Sequence, residues 1–264
     1  MMVKISDLTR FLEELAPLNL QESYDNSGLL TGNPDWSVRS VLCSLDCTEE
    51  VIKEASDLGC NVVICHHPVI FRGVKSLALD NYVNRTLIAA IKADIAIYAI
   101  HTNLDNVLGP GVNGRIAQKI GLSGQRVLAP RMAGLQDQGA GVIGELIRPL
   151  PLTEFLEHLK LQFGCRGIRH TLDSGKVIRT VAACGGSGSF LTREAILQGA
   201  DALVTADFKY HDFFDAEGRI VLIDIGHYES EQFTIELLYE LISGKFPNFA
   251  THCTKIVTNP IQYF

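Results

Sequence analysis

Short β-branched runs alternate with amphipathic stretches through the first half of this 264-residue chain, and that alternation restricts the fold more than any other feature. Val38 to Leu45, Asn61 to Ile64 and Ile95 to Ile100 read as strands. Thr48 caps a helix whose first turn carries Glu49 and Glu50, the charge sign that a helix start favours. Asp80 caps a second helix, with Val83, Leu87 and Ile91 inward. Ser6 heads an earlier one with Leu8, Phe11, Leu12 and Leu15 on one face, and Val112, Ile116 and Ile120 mark a later one closed by Gly121. Apolar runs bounded by Gly and Pro suit strands buried on both faces. The alternation therefore predicts an α/β fold of mostly parallel sheets, with helices on the faces and right-handed crossovers.

The second half continues the pattern after a stretch rich in Gly, Gln and Ala, residues 123–141, that reads as a domain boundary. Beyond it, Val142 to Ile147, Val177 to Ala183, Ala202 to Thr205 and Arg219 to Ile223 are expected strands. Helices are expected from Thr153 to Gly164, from Phe190 to Gln198 and over roughly Ser230 to Ile242, with a final strand near Lys255 to Val257. The chain is near the length at which a single core stops growing.

Apolar residues make up 47% of the chain, ample for a core, and the net charge of −7 argues against nucleic-acid binding through bulk charge. A local basic run remains at Arg166, Arg169, Lys176 and Arg179. Seven cysteines, an odd number with no Cys-x-x-Cys pair, suit a reducing compartment. The N-terminus shows no signal-peptide pattern, and no apolar run reaches the length of a membrane span, so a cytoplasmic protein away from membranes is expected.

Polar clusters fall at three strand exits. His66 and His67, within Cys65-His66-His67-Pro68, follow the run Asn61 to Ile64, at the edge where open α/β sheets place ligands. His101 is followed by Asp105, and His227 by Glu231. Taken singly, each has a plain structural role: a satisfied strand-end histidine, a loop or cap aspartate, a first-turn glutamate. Spacing i, i+4 puts His227 and Glu231 on one helix face if the helix begins by Tyr228; with Ser230 as N-cap, His227 lies in the preceding loop. Jointly, these imidazoles and carboxylates fit nitrogen and oxygen ligation of zinc, iron, manganese or nickel. Three or four imidazoles with two carboxylates make at least five ligands, more than the three that one catalytic zinc takes from protein. They suit two ions about 3.5–4 Å apart. Gly185-Gly186-Ser187-Gly188 before a helix offers backbone N–H groups to an anion, although it also reads as a simple strand-to-helix turn.

Tyr24-Asp25-Asn26-Ser27-Gly28, Cys65-His66-His67-Pro68, His101-Thr102-Asn103-Leu104-Asp105, Cys184-Gly185-Gly186-Ser187-Gly188, Asp207-Phe208-Lys209-Tyr210-His211 and His227-Tyr228-Glu229-Ser230-Glu231 occur in this order across nearly the whole chain. Together they resemble the Nif-three-like family, also labelled GTP cyclohydrolase I type 2, in its short form without an inserted middle domain. The resemblance implies a two-lobed α/β fold: residues 1–128 with 224–264 as a metal-binding lobe, and 129–223 as the second. It implies two divalent metal ions per chain, with ligands corresponding to His66, His67, Asp105, His227 and Glu231, and a homo-hexamer. His101, Asp46, Asp207 and His211 match positions near that site, His101 and His211 as proton-transfer groups. Tyr24 stands where many relatives carry tryptophan. The implied reaction converts GTP to formate and dihydroneopterin triphosphate, with the glycine loop and the basic run after Arg166 as candidate holders of the triphosphate. A two-metal phosphoesterase and a non-enzymatic metal-binding scaffold are the alternatives.

Overall fold

The apolar runs of the first half become neighbouring strands in the computed structural model of the chain, which describes residues 2–132, 137–173 and 175–264. The elements in order are α1 (Ile5–Leu15), β1 (Gly28–Thr31), β2 (Ser40–Ser44), α2 (Glu49–Asp57), β3 (Val62–Cys65), α3 (Tyr82–Lys92) and β4 (Ala96–Ala99). Every residue of β2, β3 and β4 is buried, as strands covered on both faces must be. They pair in parallel, and β1 lies antiparallel on the outer edge of β4. Pairing runs past the strand ends: His66 N donates to Ser44 O (3.2 Å), His67 N to Leu45 O (2.9 Å) and Ile100 N to Cys65 O (2.9 Å). The histidine pair is thus fixed at the carboxyl edge of the sheet.

Two helix starts differ from expectation because a neighbouring side chain reaches the free amides. Asp7, not Ser6, anchors α1, accepting from Lys4 N at 3.0 Å. Asn81 caps α3 by accepting from Asn84 N at 2.9 Å, while Asp80 receives the side-chain amides of Asn81 and Asn84.

The single turn α4 (Thr102–Asp105) carries the chain into a second compact unit. There follow α5 (Val112–Ile120), β5 (Leu122–Pro130), β6 (Gly139–Leu150), α6 (Leu152–Phe163), β7 (Arg169–His170), β8 (Ile178–Ser187), α7 (Thr192–Leu197), β9 (Ala202–Ala206), β10 (Val221–Asp224) and α8 (His227–Glu231). Their sheet has the order β5-β6-β8-β9-β10-β7. Only the β8-β9 and β9-β10 pairs are parallel, so this sheet is mixed where the first is mostly parallel.

The chain then returns to the first unit as α9 (Thr234–Lys245) and β11 (Ala250–Cys253), which pairs in parallel with β2 and completes the order β1-β4-β3-β2-β11. The one helix expected over 230–242 is therefore two, α8 and α9, and the last strand lies before the expected 255–257. Each unit has its own core, around Leu42, Val63, Leu87 and Ile97 in one and Ile143, Leu203, Phe208 and Leu222 in the other.

The units are Met1–Leu104 with Phe233–Pro260, and Asp105–Gln232 with Ile261–Phe264. This corrects the expected lobes, 1–128 with 224–264 and 129–223. The stretch expected as a linker contains β5, which pairs with β6 and so belongs to the second sheet together with α5. Ser123 to Arg126 of β5 are exposed, which is why the segment shows no apolar period; residues 133–136 of the same stretch lie outside the described residues. Among the described residues no helix is long and apolar enough to cross a membrane.

Candidate metal centre

Three imidazoles cluster in the first unit. His66 and His67 leave β3 in succession, His101 follows β4, and one nitrogen of each lies within 4.8 Å of the others. The ring centroids are 5.0 to 5.3 Å apart. Each ring is held through Nδ1: His66 by Ile100 O at 2.8 Å, His67 by Asp46 Oδ1 at 2.7 Å and His101 by Asp25 Oδ1 at 2.8 Å. A carbonyl can only accept, so His66 Nδ1 carries a proton, and in the neutral ring Nε2 is the acceptor. Carboxylates impose the same tautomer on His67 and His101, the arrangement that prepares histidines for metal.

The supporting acids stay ionised. Burial pushes the buried Asp25 carboxyl up, but hydrogen bonds from His101, Thr102 and Asn26 outweigh it and hold the group below the usual carboxylate range. Burial likewise opposes the Asp46 charge, and His67 with Thr258, whose hydroxyl donates at 2.5 Å, lowers it on balance. Asp25 is a residue that sequence reasoning left as part of a polar loop. Its signal was the density of hydrogen-bonding side chains in Tyr24-Asp25-Asn26-Ser27-Gly28, two of which, Asp25 and Ser27, accept from the backbone amides of Thr102 and His101.

The second unit holds a cluster richer in oxygen. His227 and Glu231 occupy the two ends of α8, so the i, i+4 alternative holds and Ser230 is no N-cap. His227 Nε2 lies 3.1 Å from Glu231 Oε2, and its Nδ1 lies 2.6 Å from Asp207 Oδ2. Asp105 brings a carboxylate oxygen within 4.8 Å of Glu231. Burial disfavours the His227 imidazolium, but the hydrogen bonds to Asp207 and Glu231 prevail and push its pKa up to about 11. A cation at Nε2 would replace that shared proton. Asp207 holds its place with a left-handed backbone, φ 60°, a conformation uncommon outside glycine.

Glycines shape this second cluster. The segment expected as a loop is the end of β8, which bulges between Ala183 and Ser187. Gly185 N donates to Asn113 Oδ1 (3.1 Å) and Gly186 N to Ser230 Oγ (2.9 Å), so the amides proposed for an anion are engaged within the protein. A Cβ on Gly186 would lie 2.5 Å from Glu231 Oε1, and φ there is +57°. The glycines admit the Glu231 carboxylate and do not cradle phosphate. The buried Asn113 also donates to Asp105 O at 2.9 Å, tying that residue to the same bulge.

Two further expectations change. His211 is exposed on a 3₁₀ turn, its ring beside Tyr210 and Phe214, and among the described residues no hydrogen bond or ion pair joins it to His227, Asp207 or Glu231. In the basic run, Arg169 is bound to the Asp224 carboxylate and to Phe208 O, which leaves it a structural role. His101, expected as a proton-transfer group, stands with His66 and His67 in the imidazole cluster.

The model of the Duf34/NIF3 (NGG1p interacting factor 3) family matches residues 3–260. The chain belongs to this family. A Clostridium perfringens relative named GTP cyclohydrolase 1 type 2 homolog is 34% identical over 230 residues, 87% of each chain. A Streptomyces coelicolor relative of the same name is 32% identical over 98% of this chain and 94% of its own. A Staphylococcus aureus protein of known crystal structure superposes with a TM-score of 0.92 at 32% identity over 99% of both chains, and a Bacillus cereus protein related to NIF3 with 0.91 at 26% over the full length of both.

Proposed function

We propose that this member of the Duf34/NIF3 family is a dinuclear metal-dependent hydrolase converting GTP to formate and dihydroneopterin triphosphate. The observation that carries the reading is the shared anchor at Nδ1. All four imidazoles, His66, His67, His101 and His227, have Nδ1 held by a carboxylate or carbonyl, which makes Nε2 the atom through which each would bind a metal. The donors fit two divalent ions of the zinc, iron, manganese or nickel type, held by His66, His67, Asp105, His227 and Glu231. The names of the relatives support the GTP reaction.

Bound divalent ions would supply a water activated at neutral pH for attack at C8 of the purine. The chain's own acids do the positioning: Asp25, Asp46 and Asp207 hold the imidazoles of His101, His67 and His227 through Nδ1. His101, backed by an ionised Asp25, is suited to move a proton between its Nε2 and the substrate, and His211 has no such backing. Seven free cysteines among the described residues support a cytoplasmic location, and the resemblance supports a homo-hexamer, which sedimentation would read directly.

The test is metal content together with product. Metal-replete protein is expected to contain about two divalent ions per chain by elemental analysis and to release formate from GTP. A metal content near zero sinks the dinuclear centre. Turnover of simple phosphate esters with no formate from GTP makes the chain a two-metal phosphoesterase, and metal loading without either activity leaves a binding scaffold.

A further inference from the structure

With the glycine segment and Arg169 engaged elsewhere, the proposed reaction lacks a holder for the charged end of its substrate. A cavity of about 440 Å³ in the first unit, within the size range of small-molecule sites, answers that need. Phe71, Arg72, Lys75 and Tyr82 line it, together with Asn81 at the start of α3. Its loop leaves the sheet directly after His66-His67-Pro68 and is pinned where Asn26 Nδ2 donates to Ile70 O at 2.7 Å.

Two features of this cavity are chemically specific. Phe71 meets the His101 ring edge-on at 6.3 Å and the tilted Tyr24 ring at 6.1 Å, and both Phe71 and Tyr24 are exposed, so aromatic rings face solvent beside the imidazole cluster. Arg72 and Lys75, one and four residues further on, form no ion pair among the described residues. A chain of net charge −7 that keeps two cations unpaired on one cavity wall, next to an aromatic platform, is suited to a ligand carrying both a ring and anionic groups.

We infer that Phe71, Arg72 and Lys75 form the substrate subsite of the centre, binding a phosphorylated aromatic heterocycle with its ring on Phe71 and its phosphates on Arg72 and Lys75. The inference rests on the proposed hydrolase for its use but not for its existence, since binding is measurable without turnover.

The probes are GTP, guanosine and inorganic triphosphate, titrated by calorimetry into the full-length metal-loaded protein. Removing both cations in R72A/K75A is expected to weaken GTP and triphosphate about tenfold or more. Guanosine should stay within about twofold, because its contacts do not involve charge. F71A should weaken GTP and guanosine about tenfold and leave triphosphate alone. R72K/K75R, which keeps the charge, should recover most of the GTP affinity. These residues are exposed, and an unchanged thermal midpoint would show the variants folded. The subsite is overturned if GTP does not bind the wild type or binds R72A/K75A as tightly. Binding with this pattern but without formate overturns the hydrolase and keeps the subsite. Formate release at an unchanged kcat/KM in R72A/K75A does the reverse.

Discussion

The two histidine-bearing clusters are made of opposite materials. The cluster after β3 and β4 presents three imidazoles, with its carboxylates, Asp25 and Asp46, kept behind the rings. The cluster of His227 and Glu231 on α8 with Asp105 from the end of α4 presents two carboxylates and one imidazole, with a single acid, Asp207, behind the ring. Hydrogen bonds position the first; the second depends on them and also on missing side chains, since Gly185 and Gly186 leave the space that Glu231 fills. Nitrogen-rich and oxygen-rich donor sets differ in the ions they prefer. Two metal positions of unequal affinity are the expected consequence.

The largest test of that contrast is Glu231→Ala. It removes a buried carboxylate that pairs with His227, and elemental analysis is expected to show at least one ion lost. Unchanged stoichiometry and activity would reduce Glu231 to a helix residue.

Gly186→Ala comes next. The added methyl meets Glu231 at a left-handed backbone position, so thermal or denaturant unfolding should show a loss of about 1–3 kcal/mol. Metal loss should follow at the oxygen-rich position while the imidazole cluster keeps its ion. Equal loss at both positions would break the comparison.

Asp25→Asn and Asp207→Asn sharpen it. Each removes a carboxylate behind one ring, and affinity at its own position should fall about 10–100-fold in competition with a chelator. Asp25 is buried and Asp207 half-exposed, so the Asp25 effect should be the larger. The reverse order would show that solvent does not weaken the Asp207 contact.

Much of the first unit could be read directly because its strands are buried on both faces and therefore uniformly apolar, as in β2, β3 and β4. The second unit was less legible. Its edge strand β5 exposes Ser123 to Arg126, and its glycine segment resembles a loop although it is the bulged end of β8. Local composition reports burial only where burial is uniform.

The sequence by itself determined which residues have ligand chemistry, that they stand at strand exits, and the α/β class, because each follows from side-chain type and short-range period. Only the tertiary structure decided which group holds Nδ1 of each site histidine, the place of Asp25 behind His101, and the work of the glycines around Glu231. These depend on partners far apart in the chain: Asp25 and His101 differ by 76 positions, Gly186 and Ser230 by 44. A local pattern carries no information about which distant atom will accept a proton, or which distant side chain needs the space that a glycine leaves.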